Sequence, residues 1–348
     1  MFNPEQWFGG GSVSAQDCIS ASQSNIGRRR FLALAAAGVF AASAAFAQSP
    51  AGALMRIIVA YPTGGPSDAV ARALAEKLGA QLGTQVIIEN RAGAGGSVGI
   101  DAMAKSAPDG LTLAFAAVSP ITLNPHVNAK LGYDPFRDVA AVAAVMISPV
   151  YVLATPAFSG KTFADVISQA KAKPGALRLA TSGVATVGHV MLEQIKAKAG
   201  IDITHIPYKG GGQAITDAAG GQFELLLANP SPALTGQIAT GRLRLLAVAA
   251  PQRLASYANV QTLAELGFAA ANLSSTFGIF APGKTPTATL TRLNAAINKA
   301  LESPDVRQRL IQLENLPAVM SAAEFAQLLR AEHDANALIV RTANIRAE

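Results

Sequence analysis

Apolar residues are not spread evenly along the chain. From residue 54 onward, short apolar runs rich in β-branched residues alternate with longer stretches of helical periodicity. The run over 54–60 reads as a strand, and the segment over 66–82 reads as a helix with Val70, Ala73, Leu74 and Leu78 on one face. The same reading gives strands over 85–89 and 111–116 and a helix over 98–105. A second series follows: strands over 177–180, 202–206, 223–227 and 243–248, with helices over 187–199, 213–219 and 232–240. Strand–helix–strand repetition predicts α/β architecture, with parallel sheets and helices on both faces.

Two places break the alternation. The apolar runs over 138–145 and 150–154 are separated by Ser148-Pro149 with no helix between them. Another extended run over 275–280 follows an irregular stretch and precedes helical segments over 286–302, 306–313 and 322–343. Paired extended segments without a helix are what chain crossings between two lobes would look like. The prediction is a discontinuous first lobe, 54–150 plus 275–348, and a continuous second lobe, 151–274.

The N-terminus carries a different signal. Arg28-Arg29-Arg30-Phe31-Leu32 precedes an Ala-rich apolar run that ends Ala45-Phe46-Ala47. Positive charge, an apolar stretch and an A-x-A site read as an export signal cleaved after Ala47, and the adjacent arginines fit the twin-arginine type. Residues 1–47 are therefore expected to be an extension plus signal peptide, and the mature protein to be periplasmic. The single cysteine, Cys18, and the single tryptophan, Trp7, precede that site. A mature chain without cysteine has no disulfide, thiolate nucleophile or Cys-ligated zinc.

Composition narrows the classes further. Half of the 348 residues are hydrophobic and 14% are charged, enough apolar material for two cores and too little charge for a disordered chain. The net charge of +6 comes from scattered basic residues, with 6% aromatics. A nucleic-acid binder would cluster its Lys and Arg and add stacking rings. The positive balance is read as surface charge with a bias toward anionic ligands.

Four loops carry candidate chemistry. Tyr61-Pro62-Thr63-Gly64-Gly65-Pro66-Ser67-Asp68 lies between a strand and a helix. Glycine lets backbone approach a guest, and a helix N-terminus offers free N–H groups and partial positive charge to a carboxylate. Thr181-Ser182-Gly183-Val184-Ala185-Thr186 has the same placement in the second series, with Thr186 positioned to cap the following helix. Two such loops facing each other would make a cleft. In His205-Ile206-Pro207-Tyr208-Lys209-Gly210-Gly211-Gly212, three glycines suggest backbone lining something, while Lys209 is expected to be a solvated side chain. Gly93-Ala94-Gly95-Gly96-Ser97-Val98-Gly99 contains the G-x-S-x-G pattern of a hydrolase nucleophile elbow. A hydrolase needs a histidine within reach of that serine, and His126, His189, His205 and His333 have no spacing that promises one. The expectation is no enzyme, no cofactor and no metal, with an exported Ser97 hydrolase as the rival.

Taken in order, these segments resemble the Bug-type receptors, the extracytoplasmic solute-binding components of tripartite tricarboxylate transporters. The resemblance rests on 61–72, 89–99, 124–126 (Asn-Pro-His), 131–138, 180–183 and 205–214, with weaker continuations at 220–223 and 239–248. It implies a periplasmic-binding-protein fold of type II-like character, two α/β lobes with a small organic carboxylate held in the cleft between them. By position it implies ligand-binding roles for Tyr61, Thr63, Gly64, Gly65 and Asp68 in the first loop. In the facing loop it implies Ser182, Gly183 and Thr186, and it adds Ser119, Thr122 and Asn124. The chain departs from the family at Val184 and Ala185, where polar or glycine residues are usual, and at Val187 and Gly188, where a Ser or Gln pair is usual, which implies a less polar pocket suited to an aromatic or longer aliphatic acid. Implied partners are the membrane permease subunits, with no nucleic acid and a monomeric receptor. A receptor that reports to a sensor protein instead is left open.

Overall fold

The computed structural model describes residues 54–342 and 345. The export signal and its cleavage site lie outside the described residues.

The first series of elements is β1 (Leu54–Val59), α1 (Pro66–Leu82), β2 (Gln85–Asn90), a 3₁₀ turn at Ala94–Gly96, α2 (Ser97–Ala104) and β3 (Thr112–Ala117). Two single-turn helices follow, α3 (Ser119–Thr122) and α4 (Asn124–Val127), and then the long strand β4 (Val139–Ser148). The second series runs β5 (Val150–Ala154), α5 (Phe163–Ala172), β6 (Arg178–Thr181), α6 (Val187–Ala199), β7 (Thr204–Pro207), α7 (Gly211–Ala219), β8 (Leu225–Ala228), α8 (Pro232–Ala239) and β9 (Arg244–Ala249). The chain then returns through β10 (Ser275–Pro282), α9 (Thr287–Glu302), α10 (Pro304–Gln312), the short β11 (Leu316–Pro317) and α11 (Ala322–Thr342).

These strands form two sheets, ordered β11-β4-β10-β3-β1-β2 and β7-β6-β8-β5-β9. Each sheet is a sandwich filling. In β1, Ile57 and Val59 join a core with Phe115 and the inner faces of α1, α9 and α10. The alternate residues Ile58 and Ala60 join Ile100, Phe280 and Phe325 on the opposite face. In β8, Leu225 and Leu227 face one core while Leu226 and Ala228 face the other. Successive side chains of a strand point to opposite faces, so a strand covered on both sides must be apolar throughout. The uninterrupted runs in the sequence reflect that.

The sheets are mixed rather than purely parallel. β1 pairs in parallel with β2 and β3, and β6 with β7 and β8, as strand–helix–strand units require. β10 lies antiparallel to β3 and β4, and β5 antiparallel to β8 and β9. The odd strands are those that carry the chain between sheets. Ser148 ends β4 in the first sheet and Val150 begins β5 in the second. Pro149 between them has no N–H to continue a ladder. On the return, Ser275 opens β10 in register beside Ser148, so the two crossings lie side by side. The helix α5 has no counterpart in the sequence-based reading. Its local signal is a reciprocal cap, in which the Thr162 side chain accepts from the Asp165 N–H and the Asp165 carboxylate accepts from the Thr162 N–H.

One glycine shows how tightly the crossing strand is packed. A Cβ on Gly278 of β10 would overlap the Phe325 ring and come within 2.8 Å of the Ala143 carbonyl oxygen. Gly278→Ala is therefore expected to lower stability by about 1–3 kcal/mol, the usual cost of overpacking a filled core. Urea unfolding with an unshifted midpoint would contradict this account.

Candidate functional site

The loop after β1 is shaped by one buried carboxylate. Gly64 has φ of +81°, which glycine adopts without steric cost, and Gly65 forms the helix boundary with Pro66 in the first turn of α1. Asp68, in that first turn, accepts from the Gly64 N–H (3.1 Å), from Arg72 Nε and Nη2 (3.0 Å each) and from Asn90 Nδ2 (3.0 Å). Asn90 Nδ2 also donates to the Tyr61 carbonyl (3.0 Å), so the far end of the loop is tied to the same centre. Burial raises the Asp68 pKa, but the hydrogen bonds from Arg72, Gly64 and Asn90 and the Arg72 charge outweigh it, holding the carboxyl below its ordinary range. Tyr61 completes the arrangement. Its hydroxyl accepts from the Ala117 N–H (3.2 Å), and burial pushes its pKa well up, so it stays neutral.

The loop after β6 is built differently. Gly183 has φ of +146° and Ala185 +51°. The Thr181 hydroxyl accepts from the Gly183 N–H (3.2 Å), and the Thr186 hydroxyl donates to the Gly183 carbonyl (2.8 Å). Thr186 stands at the N-cap position of α6, yet its hydroxyl does not cap the helix; it braces the loop instead. His189, one turn into α6, accepts the Ala185 N–H on Nδ1 (3.2 Å) and stacks on His205 with ring centres 4.2 Å apart. Burial pushes His189 down to about 4 and His205 down to about 3, so both rings are neutral at neutral pH. This pair had no warning in the sequence, where the two histidines are 16 positions apart.

Between these loops lies a cavity of about 80 Å³. Tyr61, Gly64, Gly65 and Ser119 line it from the first lobe, and Ser182 and Thr186 from the second. The other anticipated residues stand outside its lining. Thr63 is a turn residue, Asp68 is enclosed by its four donors, and Gly183 lies against Gly95, where an added Cβ would come 3.7 Å from Gly95 Cα. Thr122 is buried, donating to the Val118 carbonyl (3.2 Å). Asn124 donates to the Ala94 carbonyl (3.1 Å) and to Ser97 Oγ (2.6 Å). Ser97 also accepts from the Tyr133 hydroxyl (3.2 Å), and no histidine is hydrogen-bonded to it. The G-x-S-x-G pattern thus serves a buried polar network rather than a nucleophile.

Several lining residues carry no motif. Val150 and Phe277 come from the crossing strands, Ile215 from α7, and Leu226 and Asn229 from the end of β8. Gly211 and Gly212 also line the cavity, in keeping with the triple glycine, while Lys209 is exposed. Among the described residues, no Asp, Glu, Lys, Arg or His lines the cavity. What faces it is backbone: α1, α6 and α7 all begin there, and none has a side-chain cap, whereas Ser231 caps α8 by accepting from the Leu234 N–H (3.2 Å). Uncapped helix N-termini leave N–H groups for an outside acceptor.

The lobes also touch each other directly. A Cβ on Gly210 would lie 2.5 Å from Pro62 Cδ, and one on Gly95 would lie 3.0 Å from the Val184 carbonyl oxygen, so at both positions glycine lets the other lobe approach.

The Asp68 centre has a pH signature. Its folded pKa is depressed, so its contribution to stability is present above the unfolded value near ~3.9 and is lost as pH falls through the lower folded value. Asp68→Asn should cost roughly 1–3 kcal/mol at pH 7, and the gap to the native protein should narrow below about pH 4. Denaturant melts with a pH-independent gap would show that Asp68 does not hold the loop as an anion.

The profile of the family described as the tripartite tricarboxylate transporter family receptor matches residues 70–345. Protein BugT of Bordetella pertussis is 35% identical over 280 residues, covering 78% of this chain and 85% of that protein. Among solved structures, MatC from Rhodopseudomonas palustris with bound malate is similar at 28% identity and TM-score 0.77, covering 82% of this chain and 98% of that one. R. palustris Rpa4515 with adipate is similar at 29% identity and TM-score 0.80, covering 84% and 98%. With two α/β lobes, a cavity between them and this profile over most of its length, the chain belongs to the receptor family of the tripartite tricarboxylate transporters, Bug-type periplasmic solute-binding proteins rather than enzymes.

Proposed function

We propose that this receptor captures one small organic carboxylate in the cavity between its lobes and presents it to the membrane permease subunits of its transporter. The observation that carries the reading is the convergence of three helix N-termini without side-chain caps, from both lobes, on a cavity with no charged lining residue. A carboxylate stripped of water must be hydrogen-bonded throughout. Here the donors are the N–H groups at the starts of α1, α6 and α7, with the hydroxyls of Ser67, Ser119 and Ser182 around them. The remaining wall, formed by Val150, Ile215, Leu226, Leu227 and Phe277, is apolar. It suits the hydrocarbon part of an aliphatic or aromatic acid better than a densely hydroxylated or tricarboxylic one. Malate in MatC and adipate in Rpa4515 belong to the same class of ligand.

Capture proceeds by closure. The acid docks on one lobe, and the second lobe rotates about the paired crossings at Ser148–Val150 and Ser275. A ligand that touches both lobes favours the closed state, because only differential affinity shifts the population. We place the hinge at Pro149 and before Ser275. Secretion would remove the segment through Ala47, and the mature receptor would act as a monomer without a cofactor.

A thermal-shift screen of mono-, di- and tricarboxylates tests the ligand class. An acid present at 100 times its dissociation constant should add about 2.7 kcal/mol of stability. Linear dicarboxylates and aromatic acids should lead, with citrate behind, and silence across the whole series would remove the reading. Closure is tested at Gly95. An added methyl meets the Val184 carbonyl oxygen of the other lobe, a contact that exists only with the lobes together. Gly95→Ala should weaken the acid about 5- to 150-fold, the range of a 1–3 kcal/mol bias between states, and titration calorimetry showing native affinity would count against closure at this contact.

A further inference from the structure

The loop after β6 is held from behind by a ring that does not line the cavity. His189 is the third residue of α6 and is buried. Its Nδ1 accepts from the Ala185 N–H (3.2 Å). A backbone N–H can only donate, so Nδ1 is the bare nitrogen and the ring proton stands on Nε2. The bond reaches back past the helix start to the residue before the N-cap. A side chain at this third position commonly returns to the N-cap itself, as Asp165 does in α5. Here it takes an N–H of the loop instead and leaves the first N–H groups of α6 open.

Ala185 is where the loop needs holding. Its φ of +51° lies in the left-handed region, which a residue with a Cβ adopts only at a cost. Residues on either side of it line the cavity, Ser182 before it and Thr186, Val187 and Gly188 after it. A second ring steadies the other end of the loop. His205 of β7 stacks on His189, with ring centres 4.2 Å apart, and its Nε2 lies 2.7 Å from Thr181 Oγ1, which accepts from the Gly183 N–H (3.2 Å). From β6, Thr181 is neutral. The charge that bears on both rings is Lys196 of α6, which is paired with Glu193 (3.1 Å) and Asp202 (3.4 Å). A cation nearby and a second imidazole against the ring both oppose a proton on His189.

We propose that His189 is a positioning residue of the acid site: its bare Nδ1 aims the start of α6 at the guest, and a proton on that nitrogen releases the loop and the acid with it. A protonated imidazole has two N–H donors, so its Nδ1 meets the Ala185 N–H donor to donor. Burial, with the Lys196 charge behind it, holds the ring down at about 4 in the formed loop, whereas a ring freed into water titrates near ~6.5. The proton therefore prefers the released loop. The brace is intact above ~6.5, and release is increasingly favoured as pH falls from there toward about 4. Between neutral pH and about pH 5 the released loop gains about 20-fold on the held one. This role rests on the carboxylate reading above.

Adipate is the probe, replaced by the tightest acid of the thermal-shift screen where that binds better, and its affinity is measured by titration calorimetry. His189→Leu removes the acceptor. His189→Asn also removes the ring, but its Oδ1 stands as many bonds from Cα as the histidine Nδ1 and accepts without titrating. At neutral pH, His189→Leu should weaken the acid at least about fivefold, and His189→Asn should recover most of that loss. Between neutral pH and about pH 5, the native affinity should fall at least about threefold further than that of His189→Asn. The titrations of the acid and of Asp68 are common to both proteins and cancel in that ratio. Nitrogen NMR of the native ring should show the proton on Nε2 at neutral pH. Equal affinities in the two variants, parallel pH profiles in the native protein and His189→Asn, or a proton on Nδ1 would each overturn the role while carboxylate binding itself stands. If His189→Leu does not fold, the pH profile and the ring spectrum decide. Silence across the whole acid series would remove the carboxylate reading and this role with it.

Discussion

A negative charge removed from water and given no counter-charge must be met entirely by dipoles, and that is the constraint the proposed carboxylate would place on this cavity. Among the described residues, no basic side chain lines it. The partial positive charge at the starts of α1, α6 and α7 would take its place. Such dipoles are useful only while they stay aimed. A capping side chain at any of these three termini would occupy the N–H groups the guest needs. The chain places side-chain caps elsewhere: Thr162 with Asp165 on α5, Ser231 on α8, and Ser321 on α11, which accepts from the Glu324 N–H (3.2 Å).

Asp68 shows how a carboxylate can stand beside the proposed anion site without spoiling it. Arg72 neutralises it through two hydrogen bonds, and Asn90 and Gly64 satisfy the rest of its acceptor capacity. The Gly64 N–H is thereby withdrawn from the guest and spent on the loop's shape. The second loop reaches the same end with neutral groups. Thr181, Thr186 and the neutral His189 hold its backbone, and the stacked His205 lends no charge. One lobe fixes its turn with an ion pair and the other with hydroxyls and imidazole, yet both leave uncapped N–H groups facing the cavity.

Much of this was readable in the sequence. The alternation of apolar runs with helical segments located nearly every strand, and helices 66–82 and 187–199 were read to the residue. The glycine-bearing loops at 61–68, 181–186 and 210–212 were recognisable because backbone close to a guest demands small residues. Side-chain roles were less legible. Asp68 and Thr122 looked like ligand contacts but spend their polar atoms on their own lobe, and Asn124 spends its Nδ2 there while its buried Oδ1 has no partner, since a residue type does not reveal which way it points. Val150, Phe277 and Asn229 reach the cavity only because two distant segments run side by side at the hinge, a juxtaposition no local pattern encodes. The mixed sheets follow from the same cause: a strand that changes sheets need not run with the strands it joins.

The hinge itself is the step that joins these observations. Ser148 pairs with Ser275 in register, and Asn229 Nδ2 donates to the Pro149 carbonyl (2.9 Å) while Asn229 also lines the cavity between the lobes. The crossing strands are thereby tied to the cavity wall, and on the closure proposed above a rotation at Pro149 would reshape that wall. The lobes touch where a Cβ on Gly95 would come within 3.0 Å of the Val184 carbonyl oxygen and one on Gly210 within 2.5 Å of Pro62 Cδ. A larger side chain at either position would hold the lobes apart, so glycine stands where the proposed closed state brings them together.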